Sequence, residues 1–169
     1  MTTFNEFIES KELEEIVGIH KYTKYKKKFA AVINKAGVGS CDITDESAIN
    51  KLSIGSWNWY GFFFTFIWCL YSNITSGRNN QWYFLALIIG LYIISDFVGF
   101  SVPNGVAIGM SVVYGMAGNG FFLGEIIRRY NNGHRGRMPK SILNIFLVMG
   151  IFLIYGILST YLYPNLYLE

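Results

Sequence analysis

Polar and apolar positions divide the chain into two unlike regions. Through residue 56 charged residues recur every few positions; from Trp57 to Tyr163 the only acids are Asp96 and Glu125, and the only bases are Arg78 and those between Arg128 and Lys140. Thr3-x-x-Glu6 matches a capping box, in which hydroxyl and carboxylate satisfy the free amides of a helix start. Phe4, Ile8, Ile16 and Val17 follow at helical spacing, so a first helix is predicted from Phe4 to Val17, stopping at Gly18. His20 to Ala36 places Tyr22, Tyr25, Phe29, Val32 and Ile33 on one face and most of its lysines on the other, predicting a basic amphipathic helix that ends at Gly37. Thr44 or Asp45 caps a short helix through Leu52, Ser56 is placed to cap the aromatic stretch after it, and Gly37 to Asp42 reads as a mobile linker.

Beyond residue 56 the apolar runs are longer. Residues 82–102, 106–127 and 141–163 each cover about 30 Å or more as helix, enough to cross a bilayer. Pro103-Asn104-Gly105 predicts a tight turn between the first two, and a loop with Arg128, Arg129, Arg135, Arg137 and Lys140 separates the second from the third. The stretch from Trp57 to Tyr71 holds nine aromatics in fifteen positions. If it crossed with a cytoplasmic N-terminus, four crossings would put the basic loop outside, against the tendency of such loops to stay in the cytoplasm. If it does not cross, the N-terminal region, Arg78 and the basic loop share the cytoplasmic side and the C-terminus is periplasmic. An outside N-terminus with four crossings also keeps the basic loop inside, but exports 56 residues with no signal peptide in view. An ordinary first span remains the plain alternative for the aromatic stretch.

The expected fold is thus all-α: an integral membrane helical bundle of three spans, an aromatic interfacial or re-entrant helix over 56–74, and a small cytoplasmic helical region over 1–55. Composition agrees, since 52% hydrophobic and 18% aromatic residues with a mean hydropathy of +0.32 are high for a soluble chain. Trp57, Trp59 and Trp68, with Lys24, Lys27, Lys28, Arg128 and Arg129, are expected at the membrane surface, where indole rings and cations meet headgroups. A solvated helix face explains the lysines equally well. Residues 1–56 carry eight Lys and Arg against eight Asp and Glu, which leaves no basic field for nucleic acid. Cys41 and Cys69 lie in different regions, His20 and His134 are far apart, and phosphate-loop, nucleophile-elbow and zinc-helix motifs are missing. Neither metal, cofactor nor catalysis is expected.

Asp96 is the sharpest single residue, because an ionisable group inside a span is costly and faces the bundle interior, a cavity or a partner. Counting back from the turn predicts contact with Ser111, Tyr114 or both. Two readings follow, a proton or cation site and a hydrogen-bonded clamp, and the clamp is the more ordinary. Gly105, Gly109, Gly115, Gly120 and Gly124 give the following helix small-xxx-small spacings, predicting a central helix packed closely by the other two or by a second copy. Asn119 on it should bond across helices, and Glu125 should pair with Arg128 or Arg129.

Trp57-Asn58-Trp59-Tyr60-Gly61-Phe62-Phe63-Phe64-x-x-x-Trp68-x-x-Tyr71, preceded by Tyr22-x-x-Tyr25-x-x-x-Phe29 and followed by Gly118-Asn119-x-Phe121-Phe122, resembles the domain of unknown function 2628 family of small bacterial inner-membrane proteins. Where that family carries Gly-Pro inside the aromatic run, this chain has Thr65-Phe66; where it carries a basic Arg-Lys-Met-Tyr, this chain has Ser72-Asn73-Ile74. The resemblance implies the bacterial inner membrane and brings no catalytic residue. The expected function is a non-enzymatic accessory or interaction protein of the partner-binding, immunity or exclusion type, with the lipid bilayer and a protein partner or homo-oligomer as its contacts. A small oligomeric channel or ion-linked transporter using Asp96 is the alternative.

Overall fold

The computed structural model describes residues 1–52, 55–74, 81–98 and 104–162, apart from the side chains of residues 66, 84, 96, 97, 104–107 and 162. Helices are the only regular elements among the described residues. The Thr3 capping box forms as predicted: the Thr3 amide donates to Glu6 Oε2 at 2.7 Å and Glu6 N donates to Thr3 Oγ1 at 3.3 Å, opening α1 (Phe4–Ile8). The single helix expected to Val17 is instead two. Ser10 sits in extended backbone and its hydroxyl accepts from Leu13 N, so it caps a separate α2 (Lys11–Val17). The local cap outweighs the continuous apolar spacing on either side of it.

Gly18, with φ +86°, turns the chain into the basic helix α3 (Ile19–Ala36), and Gly37 closes that helix in the left-handed conformation. The stretch Gly37 to Asp42 is not the loose linker its composition predicts. It lies along the N-terminus, where Phe4 N donates to Cys41 O and Asn5 N to Gly39 O, both at 3.1 Å, while Ile43 N donates to Thr2 O at 3.0 Å. Gly39 is pressed so closely on Asn5 that a Cβ would fall 2.7 Å from its side-chain nitrogen. Asp45 caps α4 (Glu46–Lys51) as expected, accepting from Ser47 N at 2.9 Å.

The aromatic stretch forms α5 (Trp59–Tyr71), and Asn58 rather than Ser56 caps it, with Oδ1 accepting from Gly61 N at 3.1 Å. Its 13 residues rise about 20 Å at most, short of the hydrocarbon thickness. It is also broken. Thr65, at φ 45° and ψ −130°, interrupts the helical backbone between two short runs. Then come α6 (Gln81–Val98), α7 (Asn104–Asn131) and α8 (Ile142–Leu162). The expected turn at Pro103 falls partly outside the described residues, and α7 already begins at Asn104.

A continuous apolar core joins the two regions of the chain. Phe4, Phe7, Leu13, Phe29 and Ile33 on the N-terminal helices are buried in one cluster with Leu123, Ile126 and Ile127 of α7 and with Cys69 and Leu70 of α5. The Tyr130 ring of α7 lies 5.0 Å from Phe7, tilted at 60°, and Phe122 lies 5.3 Å from Tyr25. At 28 residues α7 runs about 42 Å, and its C-terminal third serves as the core of the N-terminal region. The basic loop meets this same end, Met138 N donating to Ile16 O at 3.4 Å.

Candidate functional site

Two features meet where α5, α7 and the N-terminal helices converge. The first is a buried amide lock. Asn58 and Asn119 are 2% and 0% exposed. Asn58 Nδ2 donates to Asn119 Oδ1 at 3.2 Å; Asn119 Nδ2 reaches Ser56 Oγ at 2.9 Å and the carbonyls of Ser56 at 3.1 Å and Trp57 at 3.3 Å. Asn58 N also donates to Gly115 O at 2.7 Å, drawing the start of α5 onto the backbone of α7. A buried amide group is costly unless its donors and acceptors are met; here Asn119 accepts from Asn58, the Asn58 oxygen accepts from Gly61 N, and the Asn119 nitrogen is taken up by Ser56 and Trp57.

Glycines allow that approach. A Cβ at Gly61 would lie 2.4 Å from Tyr114 O, and one at Gly115 would lie 2.9 Å from the Trp57 ring. A Cβ at Gly118 would lie 3.1 Å from Asn58 Nδ2 and 3.2 Å from the Trp68 ring. Gly118 therefore faces residues on both sides of the Thr65 break. In one unbroken helix Asn58 and Trp68 stand about 15 Å apart along the axis, so α5 approaches α7, turns at Thr65 and returns. Its far end is fixed by Asn144 Nδ2 donating to Leu70 O at 2.9 Å and Ser141 N to Tyr71 O at 2.9 Å.

The expected packing glycines divide. Gly115 makes the close contact, Gly120 is buried, a Cβ at Gly124 would meet Ile49 of α4 at an ordinary 3.5 Å, and Gly109 faces open space among the described residues. Gly105 lies outside the described side chains. The small-residue face of α7 thus receives α5, not chiefly α6 and α8 as expected. The hub is α5, which touches α6, α7 and α8 together, because its own Gly61 and the α7 glycines allow backbone-to-backbone approach. Asn119 bonds across elements as predicted. Tyr114 donates to Gln81 Oε1 at 2.7 Å, tying α7 to the start of α6. Ser111 is half-buried, and the Asp96 side chain expected to meet it falls outside the described residues.

The second feature is a groove of about 700 Å³ between the N-terminal helices, α5 and the basic loop. Lys21, Lys24 and Lys28 line it from α3, Arg137 and Lys140 from the loop, and Tyr60, Phe64, Ile67, Trp68 and Tyr71 from α5, with Ile145 from α8. Among its described lining residues none is acidic. Lys28 is half-buried and its ammonium donates to Trp57 O at 3.3 Å. Burial, and then the neighbouring Lys24, push its pKa below the ordinary lysine value. Lys140 lies 5.4 Å over the Tyr71 ring. By contrast Lys26 turns away to pair with Glu9.

Arg128 is not at a surface. It is 7% exposed and reaches α4, with Nε and Nη2 donating to Glu46 Oε1 at 2.9 and 2.7 Å and Nη2 to Asn50 Oδ1 at 2.8 Å. The interfacial role expected of it is replaced by a clamp between α7 and α4, since the N-terminal helices enclose that end of α7. Arg129 and Lys27 keep partial or full exposure, as do Trp57 and Trp59. Sequence reasoning missed Asn58, Arg137 and Lys140. A lone amide between two tryptophans was the available signal for the first, whereas the loop cations become site residues only through folding.

An all-helical arrangement with, among the described residues, two helices long and apolar enough to cross a membrane, Ile108–Asn131 and Ile142–Tyr161, is the class that this fold defines. The first is 67% buried within the chain and the second 11%, so α8 leaves most of its apolar surface uncovered. No family model, curated protein or solved structure matches the chain.

Proposed function

We propose that this is a bacterial inner-membrane accessory protein, non-enzymatic, with α6, α7 and α8 as three crossings and α5 as a re-entrant wedge that does not cross. The observation that carries the topology is that the Asn58 cap of α5 and Trp68 beyond the Thr65 break both meet α7 at Gly118 while the N-terminal helices and the basic loop gather at one end of α7. A chain with that arrangement keeps every cationic loop on the cytoplasmic side and places the C-terminus in the periplasm. The Thr65 break falls where the domain of unknown function 2628 family carries Gly-Pro, and supports that resemblance: glycine adopts the Thr65 backbone without a steric penalty, and proline suits the first turn of the following helical run.

The accessory role rests on surfaces more than on a lined path. Leu153, Ile154, Ile157 and Leu158 on α8 are at least half exposed. The described buried amides are engaged in joining helices, as Asn58, Asn119 and Gln81 are. Lipid and a protein partner, or a second copy, are the natural covers for such a face.

Single cysteines placed at Lys35, Asn132 and a tag after Glu169, in a background free of Cys41 and Cys69, test the topology. The first two are expected to be shielded from an impermeant thiol reagent in intact cells and the tag to react. Labelling of only one of Lys35 and Asn132 would overturn the arrangement. Ion flux in proteoliposomes that disappears in Asp96→Asn would replace the accessory role with transport.

A further inference from the structure

The groove between α3, α5 and the basic loop combines two properties that the fold brings together from four separate stretches of chain. Its rim is cationic, with Lys21, Lys24, Lys28, Arg137 and Lys140. Its wall is aromatic and aliphatic, with Phe64, Ile67, Trp68 and Ile145. Lys24 and Lys28 are one helical turn apart on α3, so their like charges face the same space and repel. Lys26 on the same helix has Glu9 as its partner, whereas no described acid lines the groove. An anion seated on the rim would relieve that repulsion, and a partly desolvated ammonium such as that of Lys28 binds an oxyanion more strongly than a fully hydrated one does.

The apolar wall narrows the class of anion. A free phosphate would use the rim and leave the wall wet. An amphiphile uses both. The wall consists of α5 residues from both halves of the broken helix and continues to Ile145 near the start of α8, whose outward neighbours Phe146 and Leu147 are exposed apolar residues. A chain lying on that wall leads directly onto the uncovered apolar face of α8. We propose that the groove binds a single anionic phospholipid, its headgroup phosphate held by Lys24, Lys28 and Arg137 and one acyl chain laid along Phe64, Ile67 and Ile145. This rests on the reading of the chain as a membrane protein. The lipid would act as a strut between the cytoplasmic helices and the re-entrant wedge.

Native mass spectrometry of the full-length protein in non-ionic detergent tests this, with dioleoyl phosphatidylglycerol as the probe. One bound lipid is expected, retained at energies that strip phosphatidylcholine. The double variant Lys24→Gln/Lys28→Gln and, separately, Arg137→Gln should each weaken retention at least tenfold. Lys27→Gln/Lys35→Gln, which removes the same charge outside the groove, should leave it within twofold. Equal losses in the two double variants, or equal retention of phosphatidylcholine, would overturn the site. Displacement of the lipid by inorganic phosphate at equal concentration would show a simple oxyanion site and would also overturn it.

A second readout separates this from the membrane reading. Dihexanoyl phosphatidylglycerol with brominated chains, kept below its micelle concentration, should quench Trp68 fluorescence, and Trp68→Phe should remove that component. Quenching by this soluble lipid needs no bilayer, so it holds even if the labelling experiment refutes the topology. Its failure alongside correct labelling would reject the groove and spare the topology. Circular dichroism melting of each variant shows whether a lost signal reflects lost folding.

Discussion

Thr65 is held where a β-branched residue rarely goes. At φ 45° and ψ −130° its Cβ crowds the backbone on both sides, a strain of roughly 1–3 kcal/mol that the packing around it must overcome. Glycine has no such conflict, although it costs more unfolded-chain entropy. Thr65→Gly is therefore expected to stabilise the protein by about 1 kcal/mol, read as a higher melting temperature in detergent. The opposite result would mean that the break is not seated as described. Asn119 makes the contrary case. Asn119→Ala leaves the buried Asn58 amide nitrogen without its acceptor and removes the donor to the Ser56 carbonyl and hydroxyl, while the Trp57 carbonyl keeps its bond from Lys28, and should cost about 2 kcal/mol by the same assay. At the opposite end of the chain, Glu6 is held below its usual pKa, chiefly by the Thr3 backbone bond and then by the Thr3 hydroxyl. A depressed carboxylate pKa contributes stability above the ordinary carboxylate range that is lost as pH falls through the folded value. Acid titration of Glu6→Gln, which removes the titrating carboxyl, should accordingly show a shallower loss of stability than the parent protein.

Among the elements, α5 and α7 set the geometry of the rest. Their approach is limited by backbone at Gly61, which faces the Tyr114 carbonyl, and by the Trp57 ring at Gly115. A methyl at Gly61 cannot be accommodated by turning a side chain, since the obstacle is main chain. Gly61→Ala should cost about 3 kcal/mol, while Gly109→Ala, at a position that faces open space among the described residues, should cost nothing measurable. Chemical denaturation of the two variants side by side checks this. If both behave alike, the close packing of α5 on α7 is wrong. The capping box, the C-terminal glycine of α3 and the Asp45 cap were all legible because each is a contact within a few residues. The break at Ser10 was also local, but a continuous apolar spacing masked it. Gly37 to Asp42 was misread because its order comes from Thr2, Phe4 and Asn5, more than thirty residues away.

At the scale of the molecule, the N-terminal helices and α7 have no separate interiors. Phe4, Phe29, Leu123 and Ile127 share one core, and Arg128 ties α7 to Glu46 and Asn50 on α4. Glu46 is more than half exposed while Arg128 is nearly enclosed, so the bridge contributes less than a fully buried pair. Glu46→Gln should still lower stability by about 1 kcal/mol, measured by thermal melting, because it withdraws the charge facing a buried guanidinium. Removing residues 1–52 would bare Leu123, Ile126 and Ile127, and the truncated protein should aggregate in detergents that keep the whole chain monodisperse.

The sequence by itself determined the helical class, the positions of the apolar runs and the separation of charge from the aromatic stretch, because these follow from periodicity and composition along one dimension. Charge counting also pointed to an aromatic stretch that does not cross. Only tertiary structure decided that Thr65 breaks it, that Asn58 and Asn119 lock it to α7, and that Arg137 and Lys140 join the lysines of α3 around one groove. Residues 24 and 137 are far apart in the chain, and nothing in local spacing encodes their meeting; it follows from how the glycine faces of α5 and α7 close on each other.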